Sequence, residues 1–257
     1  MKKKAIISVG AGNVASHLIP FFHKKMGYEI SQVYSRKLKN ARKLAKKVSA
    51  QATSDFSALD ATGKIAIICL PDDIIPSLKI NTDRNTVLLH TSGSTSSEVL
   101  SKIGSNYGAL YPLQTFQKGK KLDLKKIPVF TTGNNTVTKL ILQSLANGIS
   151  DNVVSISDEE RSHLHLAAVM SNNFIHHLAA LSEKYLIDNG LHLDYLLPIL
   201  KETFTKISKG DLIDTQTGPA RRNDKATLGR HKKLLRKNKE MLDIYKTLTK
   251  SIKKQYL

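Results

Sequence analysis

Gly10 and Gly12, followed by Ala15, form a Gly-x-Gly-x-x-Ala turn with the most defined chemistry in the sequence. It follows the apolar run Ala5-Ile6-Ile7-Ser8-Val9, which reads as a buried strand. It precedes a helical pattern with apolar residues at Val14, Leu18, Phe21, Phe22 and Met26. Gly10 permits the tight turn, Gly12 lets a pyrophosphate approach the backbone, and Ala15 lets helix and strand pack closely. Free N–H groups at the helix start then meet the phosphate charge. Gly10, Gly12, Asn13 and Val14 are therefore expected to hold a dinucleotide pyrophosphate; the plainer alternative is a structural turn. At the end of the next strand, where NAD-binding chains place Asp or Glu for the ribose hydroxyls, this chain reads Ser35-Arg36-Lys37. A hydroxyl plus a guanidinium suits a 2′-phosphate, so Ser35 and Arg36 favour NADP over NAD.

Three polar loops follow apolar strand patterns: Leu70-Pro71-Asp72, His90-Thr91-Ser92-Gly93-Ser94 and Tyr111-Pro112-Leu113-Gln114-Thr115-Phe116. In open α/β sheets, ligands lie beyond the carboxyl ends of the strands, where such loops sit. Leu70, Pro71, Ser92 and Ser94 are assigned to the cofactor. His90, Ser92 and Ser94 are expected to face the nicotinamide, and Gln114 the substrate; for His90 a satisfied structural histidine is an equally good reading. Further on, His165, Val169, Asn172, Asn173 and His176 recur at helical spacing. His165, Asn172 or Tyr111 could orient a substrate or relay a proton, with Asn173 beside them; a mixed interface between subunits is the alternative. Arg221 and Arg222, in the compact loop Thr217–Asp224, could clamp a carboxylate or phosphate. No metal is expected, because no His-x-x-x-His pair exists and neighbouring histidines point to different sides of a helix.

The elements that position these residues alternate. Strand patterns over Tyr28–Ser35, Ala52–Asp55, Ile65–Leu70, Thr86–His90, Tyr107–Tyr111, Ile127–Thr131 and Asn152–Ile156 are interleaved with helical ones. That predicts an α/β fold: a Rossmann-type doubly wound, mainly parallel sheet followed by an all-α domain. Pro20 falls inside the first helix pattern and is expected to kink or shorten it. After Ser157-Asp158-Glu159-Glu160, an N-cap with an acidic first turn, strand patterns stop. One helix is expected to reach Gly190, on the order of 50 Å long at ~1.5 Å per residue. A second runs from Asp194 to Ser208, interrupted or begun near Pro198, and a last helical stretch ends at Leu257. The expected domains are 1–154 for the cofactor and 155–257 for substrate and dimerisation. A helix of that length suggests a homodimer.

Composition narrows the classes. A hydrophobic fraction of 40% and a charged fraction of 24% describe an ordinary globular chain. Cys69, the one cysteine, sits in an apolar strand pattern and reads as an inert core residue, which suggests a reducing compartment. Met1-Lys2-Lys3-Lys4 mimics the start of a signal peptide, but its apolar stretch ends in the glycine turn, so a cytoplasmic location is expected. No apolar run approaches the roughly 20 residues needed to cross a bilayer. The net charge of +19 invites a nucleic-acid reading. The basic residues are mostly lysines spread along the whole chain, aromatic content is 6%, and there is no tryptophan to stack on bases. A lysine-rich solvated surface is the economical account, one that would still steer an anionic substrate inward.

Together these stretches resemble a bacterial family of Rossmann-like proteins with a C-terminal helical domain of unknown function. The resemblance rests on Gly10–Ala15, His90–Ser94, Tyr111–Phe116, His165–Asn172 and Gly218–Asp224. It implies an NADP-linked domain plus a dimerising helical domain, akin to pyrroline-5-carboxylate reductases, 6-phosphogluconate dehydrogenases and deazaflavin-dependent NADP reductases. β-Hydroxyacid dehydrogenases resemble Ala167–Asn173 but carry a catalytic lysine where this chain has Val169, which cannot donate a proton. Prephenate dehydrogenases have His-Pro where this chain has Tyr111-Pro112. The reading is an NADP(H)-dependent oxidoreductase that moves hydride to or from a C=O or C=N group of a small anionic substrate. Its rival is a non-catalytic NADP-binding sensor or assembly module. Arg36→Ala is expected to weaken NADPH binding by about tenfold or more and NADH binding little, measured by calorimetry. Equal losses for the two would remove the assignment of Arg36.

Overall fold

A computed structural model describes residues 4–210 and 212–257 of the chain. Met1-Lys2-Lys3 of the leader-like start, and Asp211 in the polar loop before Thr217, lie outside the described residues. Eight strands form one sheet: β1 (Ile6–Val9), β2 (Ile30–Tyr34), β3 (Gln51–Thr53), β4 (Ile65–Ile68), β5 (Val87–His90), β6 (Asn106–Pro112), β7 (Val129–Gly133) and β8 (Val153–Ser155). Their order is β3-β2-β1-β4-β5-β6-β7-β8. Every pair is parallel except β6 with β7. The fold is the expected α/β one.

The sequence carries this topology in its apolar runs. β1, β4 and β5 are buried along their whole length, as strands covered on both faces must be. Alternate side chains serve alternate layers. Ile6, Ile65, Ile67 and Leu89 pack beneath α1 (Asn13–Lys24), α2 (Leu38–Ala45) and α3 (Thr136–Ile149). Ile7, Val9, Ala66, Ile68 and Leu88 pack on the opposite face against Leu59, Ile75, Leu78 and Leu100.

Of the two effects expected of Pro20, shortening does not occur; the helix runs through it to Lys24. A proline inside a helix costs about 3 kcal/mol. The same helix buries Ala15, Leu18, Ile19 and Phe22 completely, and each large apolar side chain so buried contributes about 1.5–3 kcal/mol. Burial wins.

Contacts group the chain as Met1–Met170 and Ser171–Leu257. The first unit thus includes α4 (Asp158–Ala168). Its start is a capping box: Glu160 N–H donates to Ser157 Oγ at 3.1 Å, and Ser157 N–H to Glu160 Oε2 at 2.7 Å. The helical stretch read as one helix from Ser157 to Gly190 is in fact α4, a π turn over Val169–Asn173, and α5 (Phe174–Asp188). The π turn adds a residue, so 3.6-residue spacing cannot be carried from His165 to His176. In the second unit, Gly190 takes φ +72° just past α5. α6 (Leu197–Lys209) begins with Pro198 in its first turn, where a missing N–H costs nothing. α7 (Lys225–Leu234) is capped by Asp224, and α8 (Lys239–Tyr256) by Asn238. No described helix is long and apolar enough to cross a membrane.

Candidate functional site

The sheet changes winding direction between β1 and β4, and the chain opens a cleft at the carboxyl ends of β1, β4, β5 and β6. This cleft of about 280 Å³ is lined by Gly12, Asn13, Val14, Cys69, Leu70, Asp72, Thr91, Ser92, Gly93, Tyr111 and His165. Gly10 sits at φ +127°, and a Cβ there would stand 2.3 Å from the Cys69 carbonyl oxygen. Only glycine fits that close crossing. Gly12 is the N-cap of α1 and offers no side-chain cap; a Cβ at Gly12 would meet nothing within 4 Å. No acidic residue occupies the first turn. Bare N–H groups, the positive end of the helix dipole and open space form a seat that fits a dinucleotide pyrophosphate. Burial pushes the Cys69 thiol up to about 12, so it stays protonated and unreactive at neutral pH.

The far wall is held by a charge that the sequence reading missed. Arg161, on α4, is fully buried. Its Nη1 donates to Asp158 Oδ1 at 2.5 Å and to Thr132 Oγ1 at 2.8 Å, and its Nη2 donates to the Thr95 carbonyl. Asp158 Oδ2 accepts from Ser96 Oγ at 2.7 Å, Ser97 N–H at 2.7 Å and Ser97 Oγ at 2.9 Å. Burial alone would raise the Asp158 carboxyl, but those hydrogen bonds and the guanidinium outweigh it and hold it low. The loop after β5 is therefore bound to the start of α4. Ser92 Oγ folds that loop further by accepting the N–H groups of Ser94 and Thr95 at 3.2 and 2.9 Å.

One turn beyond Arg161, His165 Nδ1 lies 2.9 Å from the Tyr111 hydroxyl, the rings meeting edge to face at 5.9 Å. A Cβ on Gly93 would fall 2.4 Å from His165 Nδ1, so only glycine lets the imidazole lie against the loop. Burial pushes the Tyr111 phenol above its usual value, so it remains a proton donor well past neutral pH. Tyr111, His165 and Ser92 thus line one cleft with Gly12, Asn13, Val14 and Leu70.

Other predicted residues stand elsewhere. His90 is wholly buried and does not line the cleft; its Nδ1 accepts the Ser92 N–H at 3.1 Å, and its Nε2 is buried without a partner. It therefore shapes the loop and cannot face a nicotinamide directly. Ser94 is exposed and donates to Asp72 Oδ2 at 2.5 Å. Pro71 and Gln114 are exposed beside the cleft-lining loops, and Gln114 Oε1 accepts the Thr115 N–H. Ser35 is half-buried at the end of β2, with Arg36 exposed next to it. In the second unit, Asn172 and Asn173 are exposed and meet each other at 3.4 Å. Arg221 is engaged: its Nη1 donates to the Asp214 and Gln216 carbonyls at 2.8 and 2.6 Å, and its guanidinium lies 5.0 Å over the Tyr256 ring. Arg222 is exposed. No group of three potential metal ligands occurs among the described residues.

Residues 4–85 match an oxidoreductase family with an NAD-binding Rossmann fold, and residues 127–252 match a domain of unknown function (DUF2520). Among curated proteins, none matches. The chain is similar to a Bacteroides fragilis protein whose crystal structure is described, provisionally, as that of an NADP oxidoreductase. The two are 34% identical over 98% of each chain, with a TM-score of 0.89. A reductive aminase from Aspergillus terreus, in complex with NADPH and ethyl-5-oxohexanoate, has 13% identity and a TM-score of 0.73, covering 98% of this chain and 93% of that one. An imine reductase from Myxococcus stipitatus, in complex with NADP+, has 15% identity and a TM-score of 0.65, covering 97% and 93%. The last two likenesses are of fold.

Burial first, and the Arg161 guanidinium second, push His90 down from 6.5 to about 4. Unfolded chains bind a proton at His90 that folded chains reject between those values. Stability is therefore complete above about 6.5 and declines as pH falls toward about 4. Chemical denaturation across that range is expected to show this decline, flattened in His90→Gln. An identical profile in the variant would move the acid sensitivity elsewhere.

Proposed function

This chain belongs to the same family as the Bacteroides fragilis protein, a Rossmann domain joined to a helical domain of unknown function, and from that premise we propose that it is an NADP(H)-dependent reductase of a C=N or C=O group on a small anionic substrate. Gly12, Asn13 and Val14 hold the pyrophosphate, while Ser35 and Arg36 hold the 2′-phosphate. NADPH, when bound, supplies hydride to the substrate carbon. The observation that carries the reading is the Tyr111–His165 pair, 2.9 Å apart in the cleft that the bare start of α1 also lines. In the reductive direction, Tyr111 gives its proton to the substrate nitrogen or oxygen and recovers one from His165. Ser92 orients the loop beside them. An imine suits the site because its reduction leans on positioning and exclusion of water. The net charge of +19 favours an anionic substrate, for which Gln114 is a candidate contact beside the cleft.

We assign the second unit to dimerisation. Its helices α5, α6 and α8 contain no buried residue, and Phe174 on α5 with Ile199 and Phe204 on α6 are each at least half exposed. An apolar surface of that extent on a soluble chain marks an interface. Light scattering at micromolar concentration is expected to give twice the 28.5 kDa chain mass. A single-chain mass would overturn the dimer.

Activity is read by following NADPH absorbance across a panel of keto and imino acids. Tyr111→Phe is expected to lower kcat by roughly 10²-fold or more, with NADPH affinity unchanged. Unaltered turnover in that variant would end the proposed proton role. Tight NADPH binding with no turnover on any compound would favour the sensor or assembly module, consistent with valine and tyrosine standing where related dehydrogenases keep lysine and histidine.

A further inference from the structure

The larger concavity of the sheet-bearing unit lies on the face covered by α1 and α2, and it shares no lining residue with the cleft described above. Its volume is about 820 Å³, within the range of about 300–1,000 Å³ typical of small-molecule sites. α1 supplies one wall, α2 another, and the segment 118–125 the third. His17, on α1, fixes that third wall in place. Its Nε2 lies 2.9 Å from the Lys120 carbonyl oxygen, and its ring lies 5.3 Å from that of Phe116.

Eight lysines line this cleft, among them Lys24, Lys43, Lys47 and Lys120, against one carboxylate, Asp123. Among the described residues, Asp123 pairs outside the cleft with Lys126 at 3.7 Å. Among the described residues, Lys125 is the one lining lysine with an acidic partner, Asp151 at 3.2 Å. Like charges gathered in one concave wall repel, and a low-dielectric rim concentrates their field inward. The guest that relieves this carries several negative charges. The lining is not all charged: Phe21, Leu44, Leu122 and Leu124 also line the cleft, each buried or half-buried, and supply the apolar part taken here as its floor. A simple phosphate would leave that base unused. A nucleic-acid strand needs a row of stacking rings along an open groove, and Phe21 is the one phenyl or phenol ring in the lining.

We propose that this cleft binds a nucleoside polyphosphate, with its phosphates among the lysines and its base on the Phe21–Leu44 floor. The site is additional to the dinucleotide cleft and does not depend on the reductase reading. Calorimetry with ATP is run on the full chain saturated with NADPH, beside separate NADPH titrations. Inorganic triphosphate and a thymidine oligonucleotide serve as comparison probes. One ATP is expected to bind per chain, about tenfold or more weakly in the double variant Lys43→Glu, Lys120→Glu, whose NADPH affinity stays that of the parent. Both lysines are exposed, so the variant is expected to fold, and circular dichroism checks this. Absence of ATP heat, displacement of ATP by NADPH, or equal ATP affinity in the folded variant would each overturn the proposal. Triphosphate binding as tightly as ATP would overturn the role of the floor. Tighter binding of the oligonucleotide would make the wall a nucleic-acid face instead.

Discussion

A guanidinium taken wholly out of water dominates the architecture around the cleft. Stripping a cation of its hydration costs several kcal/mol, recovered only if every nearby acceptor is placed to receive it. Arg161 finds those acceptors on three separate pieces of chain: Asp158 in its own helix, Thr132 at the end of β7 and Thr95 in the loop after β5. The two terminal nitrogens thus hold three backbones against each other, while Nε is buried without a partner. Asp158 extends the same bond set to Ser96 and Ser97 with its other oxygen. Loss of either partner would strand the other, a defect worth about 3–5 kcal/mol in comparable buried pairs.

The Tyr111–His165 pair inherits this rigidity. His165 stands one helical turn from Arg161, so the contact that holds α4 against the loop also sets where the imidazole meets Tyr111. Gly93 completes the fit by leaving room for the ring. On the opposite side, α1 does the reverse of α4. α4 begins with a capping box that satisfies its own first turn, whereas α1 begins with a glycine that satisfies nothing. One helix start is closed by its own side chains; the other is left for an anion.

The sequence displayed the sheet clearly because its central strands are buried on both faces and must be apolar throughout, as in Ile65–Ile68 and Val87–His90. The glycine turn was equally legible, since its conformation admits few residue types. Pro20 misled because a local cost was outweighed by tertiary burial that no local rule contains. His90 left two readings open for a related reason. A histidine at a strand end reads alike whether it turns into the core or into the cleft, and only the packing above β5 decides. Arg161 was missed because an arginine in an acidic helix start looks like a surface ion pair. Its spacing, three residues after Asp158 and four before His165, was the available signal. The π turn at Val169–Asn173 has no sequence signature of comparable strength.

Cys69 completes the picture from an unexpected direction. It is the chain's one sulfhydryl, and its surroundings keep it protonated across the whole working range. Maleimides and iodoacetamides act on the thiolate, the form that burial disfavours at Cys69. An exposed cysteine introduced on either unit would therefore outcompete it for a dye or spin label, which makes the natural chain a convenient parent for distance measurements in solution.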